Sequence, residues 1–118
     1  MAAIQGTGTI HEIECLDDFK NYRDHSGDVL VVVDFYADWC GPCKAISPAF
    51  KELAKEHRDV CFIQVSVDDQ EDVAAECSVE CMPTFHFYKK GKLLKSFSGA
   101  NKDTLISAVK EFKKKDVK

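Results

Sequence analysis

Two thiols stand three residues apart in Trp39-Cys40-Gly41-Pro42-Cys43-Lys44. Val31-Val32-Val33-Asp34-Phe35-Tyr36 precedes them, an apolar, β-branched run without helical period that predicts a buried strand. After them, Ala45, Ile46, Ala49, Phe50, Leu53 and Ala54 form one apolar stripe at helical spacing. The cysteines therefore fall where a strand ends and a helix begins. If Cys40 opens the helix, Cys43 lies one turn further along the same side, near enough for a disulfide. Pro42 costs no hydrogen bond in a first turn, whose N–H groups have no intrahelical partner. Those N–H groups and the helix dipole favour negative charge on Cys40. Cys43, one turn deeper, is expected to be more buried and harder to ionise. An exposed attacking thiol with a sheltered second thiol behind it suits thiol–disulfide exchange.

A second pair, Cys77 and Cys81, is spaced C-x3-C. Four thiolates could bind one zinc ion, so a structural zinc-binding module of four cysteines is the alternative reading. Zinc knuckles usually sit on tight turns rather than between a valine-rich strand and a long helix. Gly41-Pro42 behind Trp39 also suits a redox loop better.

Four segments, in order, carry a resemblance to the thioredoxin family. Trp39 to Lys44 matches the family's active-site motif in full, and Val31 to Phe35, Asp34 included, resembles the strand leading into it. Met82-Pro83-Thr84-Phe85 resembles the segment with the cis-proline, and Phe97-Ser98-Gly99-Ala100-Asn101 resembles the late loop beside the site. The resemblance covers roughly Ile10 to Phe112 and looks like the animal-type cytosolic branch. It implies an α/β thioredoxin fold, a central mixed β-sheet flanked by α-helices, over residues 9–118, with residues 1–8 as a flexible tail.

What the resemblance implies for function is a protein-disulfide reductase in electron transport and cell redox homeostasis. Cys40 is then the nucleophile and Cys43 the resolving thiol. Asp34 accepts and returns the Cys43 proton through water. Family members in bacteria tend to carry a lysine near this aspartate on the third strand. Gln64 stands there in this chain, so Asp34 is expected to keep its proton to higher pH. Substrate docking is implied for Trp39, Gly41, Pro42, Met82, Pro83, Gly99 and Ala100, with the Met82 backbone pairing to an extended segment of the partner. Cys81 and Cys77 resemble regulatory cysteines, Cys81 being able to join two copies. The further regulatory cysteine of the family is replaced by Gln70. No bound cofactor or metal is implied. Electrons come from NADPH through thioredoxin reductase, and go to disulfide-containing proteins such as peroxiredoxins and ribonucleotide reductase. A monomer is expected, with a Cys81-linked homodimer as its variant. Proline rather than histidine before Cys43 suggests a reductant, since histidine would further stabilise the thiolate and make the disulfide more oxidising.

The composition agrees with that class. The 118 residues suit one domain with a modest core, and the net charge of -4 comes without any basic stripe for nucleic acid. No run is long enough to span a membrane, and the N-terminal segment lacks the basic start and apolar core of a signal peptide. A cytoplasmic location follows as the expectation, and with it only the Cys40–Cys43 pair cycling. Cys15 and Cys61 read as inert core thiols on apolar faces.

The supporting elements follow from periodicity and punctuation. Thr9 to Glu14 alternates as a strand near an edge, and Asp17 or Asp18 can cap a helix that buries Phe19 and Tyr22. Val29 to Tyr36 is the central strand. The helix from Cys40 to about His57 contains Pro48, which should kink it. Val60 to Val67 is a third strand, and Asp68-Asp69 starts a short helix. Thr84 to Tyr88 and Leu93 to Phe97 form a hairpin around the turn Lys90-Gly91-Lys92. Asn101 caps a last helix with Leu105, Ile106, Val109 and Phe112 inward, ending in a solvated Lys113-Lys114-Lys115. His11, His25, His57 and His86 have no ligand spacing.

Overall fold

The pleat of the central strand decides what faces what. Val31, Val33 and Phe35 point into one core cluster, with Ile13, Phe19, Ile63, Val65 and Val73. Val32 points into the other, with Ile46, Phe50, Leu53, Phe62, Phe85, Leu105 and Val109. Successive side chains of a strand alternate between faces, so Asp34 lies on the Val32 face, beneath the helix that follows. The same parity places Gln64 on that face with Phe62.

The computed structural model describes residues 8–115. In chain order the elements are β1 (Ile10–Glu12), α1 (Leu16–Asp24), β2 (Val31–Tyr36), α2 (Gly41–Glu56), β3 (Cys61–Ser66), α3 (Glu71–Glu76), β4 (Thr84–Lys89), β5 (Lys92–Ser98) and α4 (Lys102–Lys113). The five strands form one sheet in the order β1-β3-β2-β4-β5. β1 and β2 run parallel to β3, and β4 runs antiparallel to both β2 and β5. This is the mixed sheet between helices that the sequence predicts. Residues 1–7 of the expected tail, and 116–118 at the end of the expected domain, lie outside the described residues.

Local chemistry sets the element ends. Lys90 and Gly91 both have positive φ, 54° and 77°, which lets a two-residue turn follow the twist of β4 and β5. Asn101 caps α4 as expected, its side-chain oxygen accepting from the Thr104 N–H at 3.0 Å. Pro48 lies inside α2, which continues as one helix on either side of it.

Three expectations need correction. Cys15 is no core thiol: it is exposed and is itself the N-cap of α1, its sulfur accepting from the Asp18 N–H at 3.4 Å. The chain leaves the sheet at Ile13, whose N–H still pairs with the Gln64 carbonyl, so burial ends two residues earlier. Asp18 therefore caps nothing from its own N-cap position. It reaches back instead, accepting from the Glu14 N–H and from His11 Nε2. Asp68-Asp69 likewise does not start α3, which begins at Glu71 after Gln70: the two aspartates lie in a turn in which the Asp69 N–H donates to Ser66 Oγ at 3.4 Å.

The lysine-rich end of α4 is not simply solvated. Lys113 pairs with Asp59 at 2.9 Å, and the Lys115 ammonium lies over the Phe112 ring. More telling is Lys89, buried at the end of β4. Its Nζ donates to the carbonyls of Phe112, Lys113 and Lys115 at 3.3, 3.1 and 2.7 Å. These carbonyls at the C-terminal end of α4 cannot continue the helical ladder, and a cation there also meets the negative end of the helix dipole. Lys89→Met keeps the alkyl volume and removes the donor. It is expected to cost roughly 1–3 kcal/mol, seen as a lower urea midpoint with an unchanged slope.

Candidate functional site

The two thiols of the motif are joined. Cys40 and Cys43 form a disulfide with their Cα atoms 5.3 Å apart. Cys40 is the N-cap of α2 with extended backbone, and Pro42 occupies the first turn. The Cys43 N–H donates to the Cys40 sulfur at 3.1 Å. That places one of the orphan amides of the helix, together with its dipole, on Cys40 and not on Cys43.

Exposure does not follow the expected asymmetry in this oxidised form. Cys40 is 4% exposed and Cys43 5% exposed. Bridging turns the Cys40 side chain toward its partner, where Ala37, Met82, Tyr36 and Val67 pack against the pair. Cys40 is therefore favoured by the helix end and its hydrogen bond rather than by exposure. The exposed neighbour is Trp39, at 68%, braced by its indole N–H donating to the Asp68 carboxylate at 2.9 Å.

Asp34 is 2% exposed and lies opposite Gln64 in the β2–β3 register. Gln64 Nε2 donates to Asp34 Oδ2 at 3.3 Å, while Oδ1 has no hydrogen-bond partner. Burial pushes this carboxyl up to about 7, the Gln64 hydrogen bond opposing and the nearby Glu12 charge adding slightly. A cleft of about 200 Å³ joins Asp34 to Cys43, walled by Ser47, Lys44 and Lys51 of α2 and by Tyr36 and Gln64 of the sheet. It is polar and roomy enough for water to connect the carboxyl to the thiol.

The remaining predicted site residues gather around the disulfide. Met82–Pro83 is a cis peptide, and Met82 packs on the cysteine pair. Gly99, with φ +100°, turns so that its N–H donates to the Pro83 carbonyl at 2.9 Å, tying the late loop to the proline loop. Gly41, Pro42 and Ala100 are exposed beside them. Cys81 is exposed next to Met82. Cys77 is not brought there. Its sulfur sits 3.7 Å from the Tyr88 hydroxyl, among the residues of the α1 and α3 face. With one cysteine pair bonded and Cys77 turned to that face, the four-cysteine zinc reading fails. No group of three or more His, Cys, Asp or Glu suited to a metal occurs among the described residues.

Sequence reasoning misses four contributors. Asp68 reads as a helix cap, although it braces Trp39 from 29 residues away. Ser47 and Lys51 line the cleft, and their spacing of four and eight from Cys43 carries that signal, since such residues share a helix face. Glu12 accepts a hydrogen bond from the Tyr36 hydroxyl at the far wall, a contact between strands that only the sheet order reveals.

The thioredoxin family model matches residues 14–111 of this chain. The chain belongs to the thioredoxin family. It is 51% identical to thioredoxin of Homo sapiens over 102 residues, covering 86% of this chain and 97% of that one. Against thioredoxin of Callithrix jacchus the identity is 52% over 103 residues, covering 87% and 98%. Among solved structures, Fasciola hepatica thioredoxin superposes with a TM-score of 0.85 at 42% identity, covering 87% of this chain and 99% of that chain. As a thioredoxin it is a protein-disulfide oxidoreductase that needs no bound cofactor, and Cys40–Cys43 stands at the family's active-site position. Such proteins act on disulfide-containing proteins and are reduced by thioredoxin reductase. No described helix is long and apolar enough to cross a membrane.

The raised Asp34 carboxyl has a consequence for stability. Unfolded, an aspartate loses its proton near pH 4; folded, this one keeps it to about pH 7. Between those values the native state holds a proton that the unfolded state lacks, so stability falls as pH rises through that window. Asp34→Asn removes the cost. It is expected to stabilise the oxidised protein by about 2–4 kcal/mol above pH 7 and by little at pH 4, read from denaturant midpoints at the two values. A gain independent of pH would contradict the assignment.

Proposed function

We propose that this chain reduces protein disulfides by a two-step exchange in which Cys40 attacks and Cys43 resolves. The observation that carries the reading is the Cys43 N–H on the Cys40 sulfur at the start of α2, because it favours charge on one sulfur of the pair. In the reduced protein, Cys40 thiolate attacks one sulfur of the substrate disulfide. A mixed disulfide forms and the other substrate sulfur leaves as thiolate. Asp34, with its carboxyl near neutrality, takes the Cys43 proton through the cleft. Cys43 then attacks Cys40 sulfur, releasing the second substrate thiol and closing the Cys40–Cys43 bridge. A group titrating near the working pH can both accept and return that proton.

Docking uses the exposed Trp39, the open backbone at Gly41 and Pro42, the Met82 backbone before cis-Pro83, and the small Gly99 and Ala100. An extended partner segment pairs with Met82 as an added strand. Gly41 has nothing within 4 Å of where a Cβ would stand, which leaves its backbone open to close approach. The unit is a single domain over residues 9–118, working in the cytoplasm as a monomer in electron transport. Peroxiredoxins and ribonucleotide reductase are its expected substrates. One similar solved structure, with a TM-score of 0.81 at 36% identity, concerns resolution of a thiol in yeast mitochondrial 1-Cys peroxiredoxin through glutathione and thioredoxin systems. Exposed Cys81 beside the docking loop provides the route to a linked homodimer, at the expense of docking.

Turnover tests the roles separately. Cys40→Ser is expected to abolish insulin reduction driven by NADPH and thioredoxin reductase. Retained turnover would refute Cys40 as the nucleophile. Cys43→Ser should instead accumulate covalent adducts with substrate on non-reducing gels, and their absence would refute the two-step route. In Asp34→Asn the release step should slow by about tenfold or more near neutral pH, in proportion to the loss of a general base.

A further inference from the structure

Glu12, Gln64 and Asp34 form a row across three strands. The register sets Glu12 of β1 beside Gln64 of β3, and Gln64 beside Asp34 of β2. Neighbours in such a row share one face of the sheet, here the face beneath α2. Tyr36, two residues beyond Asp34, belongs to the same face. Its hydroxyl donates to the Glu12 carboxylate, so its side chain spans the width of β3 to reach the far end of the row. Tyr36 also packs on the Cys40–Cys43 cluster and walls the cleft that joins Asp34 to Cys43. One tyrosine thus meets both the thiol pair and the outermost carboxylate of the row. The two-step exchange gives neither Tyr36 nor Glu12 a part.

We propose that Glu12 and Tyr36 are positioning residues of the resolving step: Tyr36 holds the Glu12 carboxylate at the end of the row, and that fixed charge makes Asp34 a stronger base toward Cys43. This role rests on the reading of Asp34 as the base for Cys43. Glu12 and Asp34 stand two strand spacings apart, about 10 Å. The residue between them, Gln64, is neutral and donates to Asp34 Oδ2 at 3.3 Å. Glu12 is exposed on an edge strand, where an untethered carboxylate would turn out into water. The Tyr36 hydroxyl prevents that. Burial, and then the hydrogen bond to Glu12, raise Tyr36, so it keeps its proton and remains a donor. A like charge disfavours ionised Asp34 and increases its affinity for a proton, in the same direction as burial. The titratable and charged groups around Asp34 are Glu12 from β1, Tyr36 and Asp38 at the end of its own strand, and Cys43, Lys44 and Lys51 from α2. β4 places the apolar Phe85 opposite it. Among these groups Glu12 is the one whose charge acts on the Asp34 carboxyl.

In the resolving step, the Cys43 proton passes to Asp34 as the Cys43 sulfur attacks the Cys40 sulfur. The new S–S bond forms as the bond from Cys40 to the substrate sulfur breaks, and that sulfur leaves with the electron pair as thiolate. Glu12 and Tyr36 exchange no proton in this step and act through Asp34.

The test reads Asp34 and the resolving step separately in the full chain. In the oxidised protein, where neither thiol of the pair titrates, the Asp34 side-chain carboxyl carbon is followed by NMR against pH, with a wild-type midpoint at about 7. Glu12→Gln keeps the shape and an acceptor for the Tyr36 hydroxyl and removes the charge. It should lower the midpoint by about half a pH unit. Tyr36→Phe releases Glu12 to water and should lower the midpoint by a smaller step. The double variant should match Glu12→Gln alone, since Tyr36 acts only through Glu12. The resolving step is read by stopped flow with reduced chain in excess over a chromogenic nitrobenzoate disulfide, as the concentration-independent release of the second thiolate. Its pH midpoint should fall in Glu12→Gln by the same amount as the NMR midpoint. An NMR midpoint that stays put in Glu12→Gln overturns the proposal, and Asp34 survives as the base if Asp34→Asn still slows release. A double variant shifted further than Glu12→Gln overturns the part given to Tyr36. An NMR midpoint that moves without the kinetic one overturns the proposal together with the role of Asp34 as base.

Discussion

The alternation of β2 is the constraint on which the site depends. Its side chains must serve two cores at once, and every position but the last is buried. An ionisable residue in such a strand has only two directions in which to point. Asp34 shares its direction with Val32, and that direction leads to the start of α2, where Cys43 occupies the first turn. A shift of one residue in the pairing of β2 would turn Asp34 toward Phe19 and Val73 and leave the thiols without a neighbouring carboxyl. The parallel pairing to β3 and the antiparallel pairing to β4 both hold the register against that slip. The chemistry of the helix end thus rests on hydrogen bonds two strands wide.

The parts of this arrangement that are legible in the sequence are those governed by local rules. The β-branched run of β2, the apolar stripe of α2 and the Asn101 cap each depend on residues within one element, and each appears where its period places it. Gln64 opposite Asp34 is also legible, but only through the resemblance. What the sequence hides are contacts between elements far apart in the chain. Lys89 reads as a charge after a strand, and only the packing of α4 against the sheet makes it a helix cap. Cys15 carries an apolar label yet serves as a polar cap, because sulfur can accept an amide hydrogen where no better acceptor stands. Asp68 precedes a helix, as caps do, and the nearby indole claims it first. In each case two uses compete for one side chain, and tertiary geometry chooses between them.

The cysteines illustrate how strongly surroundings govern one functional group. Cys61, buried in β3 among apolar side chains, is pushed up to about 12 by desolvation and keeps its proton. Cys15 and Cys81 are exposed. Cys77 is half-buried with a hydroxyl for company, and Cys40 has a helix end. Exposure alone does not sort them by function, since Cys40 in the bridged state is as buried as Cys61. What separates these two is the donor each sulfur meets: Cys40 faces an amide N–H, while only desolvation acts on Cys61.

The same reasoning explains why a neutral Gln64 suits Asp34. A cation at that place would hold the carboxyl in its charged form and lower its affinity for a proton. The amide of Gln64 donates one weak hydrogen bond at 3.3 Å, enough to orient the carboxyl without offsetting its burial. One oxygen accepts from Gln64 and the other has no hydrogen-bond partner, in a residue that lines the cleft shared with Cys43. The lysines of this site, Lys44 and Lys51, line the cleft from α2, and neither is among the groups that shift the carboxyl. Burial, with Gln64 opposing and the Glu12 charge adding to it, holds the carboxyl near neutrality, which suits the proton exchange proposed for it.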